Sequence, residues 1–211
     1  MSAHCHHDTA PATDSRYRRI LWIALVLNAA MFLVELGASA VSGSVSLAAD
    51  AVDFAGDAGN YALSLAAIAA GGLWTSRAAL AKGIAMGAFG VGVIAYAAWR
   101  VRIGAAPEPL TMGVVGTLAL SVNLYVAWKL YFYREGDANM RSVWLCSRND
   151  ALSNIAVLVA ALGVFGTRSL WPDIAVAGLM ASLALYSSFS VIRHARRELA
   201  APGVRAPSSI V

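Results

Sequence analysis

The sequence predicts an all-α integral membrane bundle of six transmembrane helices. Of the 211 residues, 59% are hydrophobic and 13% are charged, whereas a soluble domain carries about 25% charged residues. Apolar runs long enough to cross a hydrocarbon core about 30 Å thick recur six times along the chain. These runs lack the two-residue alternation of a barrel strand, and a helix satisfies its own backbone hydrogen bonds in lipid. One membrane domain therefore accounts for most of the chain.

The six predicted spans follow one another through short connections, which indicates a series of tight helical hairpins. Residues 1–18 are polar and predict a flexible cytoplasmic tail, residues 19–193 form the membrane domain, and residues 194–211 form a short cytoplasmic C-terminal tail. The predicted spans are 20–41, 46–73, 79–99, 110–132, 142–165 and 170–192.

The basic residues are distributed unevenly, and this predicts the orientation of the chain. The formal net charge of +4 could indicate nucleic-acid binding, but most Lys and Arg residues fall on one side of the predicted membrane. By the positive-inside rule we expect both termini in the cytoplasm, a multi-pass protein of the cell membrane (the inner membrane in a bacterium), and no nucleic-acid partner. The cytoplasmic set is Arg16, Arg18, Arg19, Arg77, Lys82, Lys129, Arg134, Arg141, Arg193, Arg196, Arg197 and Arg205, and the opposite set is Arg100, Arg102 and Arg168.

Three carboxylates interrupt the second apolar run, in the segment AADAVDFAGDAG. Asp50, Asp53 and Asp57 are spaced by three and four residues, so they share one face of a helix. An ionised carboxylate near the bilayer centre costs about 2.5–3.5 kcal/mol on insertion scales, so intramembrane acids are usually functional. We therefore expect this acidic face to have a specific partner.

The fifth run carries a matching arrangement in the segment CSRNDALSN. Cys146, Asp150 and Asn154 are each four residues apart, so they also share a helix face. If the two faces meet, three carboxylates and a thiol converge, the number of ligands that a tetrahedral divalent metal ion takes. The predicted ligands are Asp53, Asp57, Cys146 and Asp150, with Asp50 and Asn154 as secondary candidates.

A structural role for these acids remains an alternative. The aspartates could pair with Arg148, cap a broken helix or face a water-filled crevice, and a structural role suits Asp50 best because it lies nearest the turn after the first helix. Arg148 lies two residues from both Cys146 and Asp150 and should point away from the ligands, although it could instead pair with Glu35.

The segments LNAAMFLVELGASAVSGSVSLAADAVDFAGD, WLCSRNDALSN and WPDIAVAGLMASL together resemble the cation diffusion facilitators. That family consists of metal/proton antiporters that export zinc and related ions. The resemblance implies two ligands from the second helix and two from the fifth, at Asp53, Asp57, Cys146 and Asp150, and it makes Asp50 a neighbouring position. It also implies a homodimer, with a divalent metal ion, protons and the lipid bilayer as partners.

The sequence departs from the family pattern in two respects. Cys146 stands where His or Asp is usual, and a thiolate favours zinc or cadmium over magnesium or manganese. We expect a form without the family's cytoplasmic C-terminal domain. Zinc is the expected cargo, with cadmium, cobalt and iron as alternatives, and no cofactor is expected.

The N-terminal segment HCHHD offers a second group of potential ligands. His4, Cys5, His6 and His7 lie within four consecutive residues, and short His-rich tracts can capture metal weakly. The alternative is a tail whose histidines bind nothing specific.

An enzyme is disfavoured by the positions of the histidines. His4, His6, His7 and His194 all lie outside the predicted spans, so haem ligation by two histidines within the membrane and an HExxH zinc site are both excluded. A membrane metal sensor or partner subunit that does not transport remains the alternative to an efflux transporter.

Overall fold

The computed structural model describes residues 15–70, 72–135 and 138–200, which form six α-helices without a strand among them. This confirms the predicted all-α class. Most helices extend beyond the apolar spans at one or both ends, because polar and basic end residues continue the helix outside the hydrocarbon. The helices are α1 (Ser15–Ser42), α2 (Val45–Ala70), α3 (Gly72–Ile103), α4 (Pro109–Tyr131), α5 (Ala138–Thr167) and α6 (Trp171–Ala200).

The helices pack as a closed ring in the order α1, α2, α3, α6, α5 and α4, with α4 returning to α1. The α2 helix also crosses the ring to contact α5 and α6, so four neighbours surround it. Within the described residues, five helices are long and apolar enough to cross a membrane, and α2 is the exception. Its acidic face is sheltered by protein, as expected for ionisable residues at membrane depth.

Large apolar side chains cover the outside of the bundle. Val41 of α1, Leu110 of α4, Leu162 of α5 and Tyr186 of α6 each expose more than two thirds of their surface. Such an apolar exterior would be unusual for a soluble protein. It is the surface expected of helices that face lipid.

Small residues bring α3 and α6 into close contact. A Cβ added at Gly83 would lie 2.9 Å from Ile192 Cγ1, and one added at Gly87 would lie 2.7 Å from Ser188 Oγ. The Ser188 hydroxyl donates a hydrogen bond of 2.7 Å to the Gly83 carbonyl. Glycines and a serine hydrogen bond therefore hold this pair together, as is common for helix packing in membranes.

Asp173 of α6 anchors the beginning of α2. Its carboxylate accepts hydrogen bonds from the backbone N–H groups of Val45 (2.7 Å) and Ser46 (3.0 Å), and from the hydroxyls of Ser44 (2.7 Å) and Ser46 (2.6 Å). The first N–H groups of a helix lack partners within it, and a negative charge at that end is favourable. The preceding turn depends on Gly43, which has a φ of +72°. A carboxylate of one helix thus caps another.

Glu108 caps α4 in a more exposed position. Its carboxylate accepts hydrogen bonds from Leu110 N (2.9 Å) and Thr111 N (2.5 Å). Hydrogen bonds from Thr111 and Leu110 lower the pKa of Glu108 below its ordinary value of 4.5. The ionised Glu108 cap therefore makes its full contribution to the free energy of unfolding above pH 4.5, the ordinary pKa of the group. This contribution is lost as the pH falls through the lower pKa of the folded state.

Replacing Asp173 by Ala should lower the free energy of unfolding by about 3 kcal/mol or more, because two buried backbone donors lose a charged acceptor and such bonds contribute about 1.5–3 kcal/mol each. The change is measured as a lower midpoint of denaturation in detergent micelles. Glu108→Ala is the matched control, since it removes a helix cap that water can partly replace. Equal shifts for the two variants would contradict the anchoring role of Asp173.

Candidate functional site

Three side-chain contacts join α2 to α5 along one seam. Asn154 Nδ2 donates a hydrogen bond of 2.6 Å to Asp50 Oδ2. The carboxyl groups of Asp57 and Asp150 lie within hydrogen-bonding reach of each other. The hydroxyls of Tyr61 and Ser147 are 2.7 Å apart. Residue numbers rise along α2 as they fall along α5, so the two helices are antiparallel, and the predicted polar faces do meet.

The structure describes the side chains of three of the four predicted ligands. Asp57 is buried, while Asp53 and Asp150 are half-buried, and Asp53 lies close enough to Asp57 for their charges to interact. Cys146 belongs to α5, one helical turn before Asp150, but its side chain lies outside the described residues. Within the part of the chain that the structure describes, no three His, Cys, Asp or Glu side chains form a group able to hold a metal ion. The four-ligand site therefore stays a prediction.

The contact between Asp57 and Asp150 has a direct chemical consequence. Two ionised carboxylates in contact repel each other strongly where water is excluded. A positive ion between them, either a proton or a metal ion, removes this repulsion. The pair is therefore a suitable place for protons and divalent cations to exchange.

A second group of polar side chains connects four helices beside this pair. Asn123 of α4 donates a hydrogen bond of 2.9 Å to Asn154 Oδ1, and Asn154 in turn donates to Asp50. Glu35 of α1 is fully buried, with its carboxyl group facing Asp50, but neither of its oxygens forms a hydrogen bond of good geometry. The Asn154 amide thus forms hydrogen bonds with two neighbours, Asn123 and Asp50. These contacts favour a structural role for Asp50 and Asn154.

Arg148 points away from the seam, as its helical position predicts. Its side chain is exposed, its guanidinium lies 5.5 Å from the Trp144 ring centre, and it donates a hydrogen bond of 3.3 Å to Asn149. The alternative that Arg148 pairs with Glu35 is wrong, because Glu35 is buried against Asp50.

Two polar residues next to Asp57 were not assigned to the site by sequence. Asn60 of α2 contacts Asp57, and the Lys82 ammonium of α3 donates a hydrogen bond to Asn60 Oδ1. The spacing of three residues between Asp57 and Asn60 was a signal that both share a face. Lys82 gave no such signal, because its position depends on how α3 packs against α2.

The N-terminal group of potential ligands, His4, Cys5, His6 and His7, lies outside the described residues. It remains a prediction from sequence.

Comparisons with known proteins identify relatives of this chain. The family model described as "Cation efflux transmembrane domain" matches residues 21–200. The zinc transporter ZitB of Escherichia coli is 25% identical over 213 residues, which cover 93% of this chain and 67% of ZitB. The metal cation efflux system protein CzcD of Cupriavidus metallidurans is 29% identical over 175 residues, which cover 77% of this chain and 55% of CzcD. The matches thus span between about half and two thirds of these relatives.

The family match covers most of the chain, and the fold agrees with it. The described residues form a helical bundle with five helices apolar enough to span a membrane. This multi-pass membrane protein therefore belongs to the cation efflux family, the cation diffusion facilitators.

Proposed function

We propose that this protein exports a divalent transition-metal ion, zinc in the first place, in exchange for protons across the bacterial inner membrane. The observation that carries the proposal is the contact of Asp57 with Asp150 across the α2 and α5 seam, in a chain of the cation efflux family. The cargo site comprises Asp53, Asp57, Cys146 and Asp150. Cadmium, cobalt and iron are further candidate cargoes.

The exchange follows from electrostatics. A metal ion that enters from the cytoplasm displaces protons from the carboxyl and thiol groups, which must be deprotonated to bind it. When the site opens to the other side, protons compete for the same groups and release the metal ion. One set of ligands therefore serves both ions, and alternating access gives the exchange its direction.

Two features support zinc as the cargo. The relatives carry the names of a zinc transporter and a metal cation efflux protein. Cys146 would add a thiolate to the three carboxylates, and thiolate ligands suit zinc and cadmium better than magnesium or manganese.

The remaining parts of the chain have proposed roles as well. The chain before α1 is cytoplasmic and captures metal ions through His4, Cys5, His6 and His7, on the side from which cargo enters. Residues 19–193 form the transport domain, and the chain from residue 194 onwards, which begins with the last turns of α6, is cytoplasmic as well. The protein functions as a homodimer with both termini in the cytoplasm.

Asp57→Ala and Asp150→Ala should each abolish zinc transport, because each removes one member of the carboxyl pair. The measurement is zinc uptake into proteoliposomes under an imposed proton gradient, together with the collapse of that gradient. Glu135→Gln is the matched control, since it removes an exposed carboxylate whose partner is Arg134. This control should transport like the original protein.

The same experiment separates transport from sensing. Zinc binding without uptake in the unaltered protein would favour a metal sensor or partner subunit. Normal uptake by Asp57→Ala would show that the site lies elsewhere.

Cys146→Ser should weaken transport of zinc and cadmium about tenfold or more, because a hydroxyl preserves the size of the thiol but is a poor ligand for these ions. Cys146→His restores a strong zinc ligand and should recover zinc transport better than cadmium transport. Initial rates at several metal concentrations measure both effects. If both variants handle both ions like the original protein, Cys146 is not a ligand.

A further inference from the structure

Lys82 places a positive charge beside the carboxyl pair. It comes from α3, which packs against α2, and its ammonium donates a hydrogen bond to Asn60 Oδ1. Asn60 contacts Asp57 through its side chain, so the Lys82 ammonium lies one side chain away from Asp57, near enough for their charges to interact. A cation supplied by the protein itself therefore lies next to the proposed cargo site.

The backbone of α2 is shaped to admit the Lys82 side chain. A Cβ added at Gly59 would lie 3.2 Å from Lys82 Cδ and 3.3 Å from Cγ, so the lysine stem runs across the helix where the glycine leaves room. The half-buried side chain thus follows a defined path from α3 to Asn60. An arginine or lysine whose only role was to fix the orientation of the chain in the membrane would instead extend towards the membrane surface.

We propose that Lys82 is a tethered counter-cation that sets the affinity and release rate of the metal ion. In the empty site its ammonium offsets the negative charge of Asp57. A divalent ion that binds Asp57 and Asp150 must compete with this charge, which the hydrogen bond to Asn60 keeps beside the site.

The positive charge of Lys82 affects the binding and the release of the metal ion in opposite ways. A fixed positive charge near the ligands weakens equilibrium binding of a cation because like charges repel. The same repulsion helps the ion to leave, which matters for a transporter because a site that binds too tightly cannot release its cargo. Lysine suits this role, since its ammonium is a compact charge on a stem of four carbons. The inference rests on the proposed function of the α2 and α5 site.

The test compares two single-charge deletions on α3. Lys82→Met keeps the aliphatic stem on Gly59 and removes the charge, whereas Arg77→Gln removes an exposed charge near the same end of the helix. Binding of zinc ion alone to the full-length protein in lipid nanodiscs is measured by calorimetry at mildly alkaline pH, where protons compete least. Lys82→Met should bind zinc about tenfold more tightly, equivalent to about 1.4 kcal/mol, and Arg77→Gln should match the original protein.

Transport kinetics provide a second test. If the role of Lys82 were purely structural, Lys82→Met would not be expected to change them in the way described here. In proteoliposomes, Lys82→Met should lower both the KM for zinc and the maximal rate, because tighter binding slows release. Lys82→Arg keeps the charge and should restore values near those of the original protein. Unaltered or weaker zinc binding by Lys82→Met would overturn the inference, and so would equal tightening by Arg77→Gln.

The outcomes distinguish this inference from the proposed function. If the original protein and Asp57→Ala bind zinc equally, the α2 and α5 site is not the cargo site and both proposals fail. If Asp57→Ala loses binding while Lys82→Met behaves like the original protein, the site stands and only the role of Lys82 fails.

Discussion

The structure depends on one constraint, which is that α2 carries acidic side chains into a bundle whose exterior faces lipid. Asp50, Asp53 and Asp57 can be accommodated only where protein excludes hydrocarbon and supplies polar partners. The ring of six helices provides this environment, because α2 contacts α1, α3, α5 and α6. Each of these neighbours places a polar or charged group against α2. The packing of the bundle therefore surrounds one helix, α2, with protein and with polar partners.

The polar contacts of α2 divide into two kinds. Near its beginning, Asp173 accepts four hydrogen bonds, and the Asn154 amide accepts one from Asn123 and donates one to Asp50. Buried polar groups with such partners contribute to stability. Farther along, the carboxyl groups of Asp57 and Asp150 lie together, and two such groups repel each other when both are ionised and no positive ion lies between them. The seam thus changes from amide and carboxylate hydrogen bonds to a pair of adjoining carboxyl groups within a few helical turns.

The sequence predicted the helices and their number because long apolar runs have few alternatives in a membrane. It also predicted that α2 and α5 meet, since both carry polar residues four apart on one face. The ends of α1 and α6 were predicted less well, because Arg16 and Arg197 continue helices beyond the apolar spans that hydropathy detects. Asp173 and Lys82 could not be assigned from sequence. The partner of each lies on another helix, and only the packing of α6 and α3 against α2 brings them together.

The carboxylate of Asp173 also fixes the mechanics of α2. It holds residues 44–46 at one end of the helix through four hydrogen bonds, so this end is the pivot of any tilt of α2 that preserves these bonds. Asp57 lies about 18 Å from the pivot and the far end of the helix about 38 Å from it, at a rise of 1.5 Å per residue. A tilt of about 10° would move Asp57 by about 3 Å and the far end by about 7 Å. A small rotation about this end therefore displaces the far end of α2 about twice as far as it displaces Asp57.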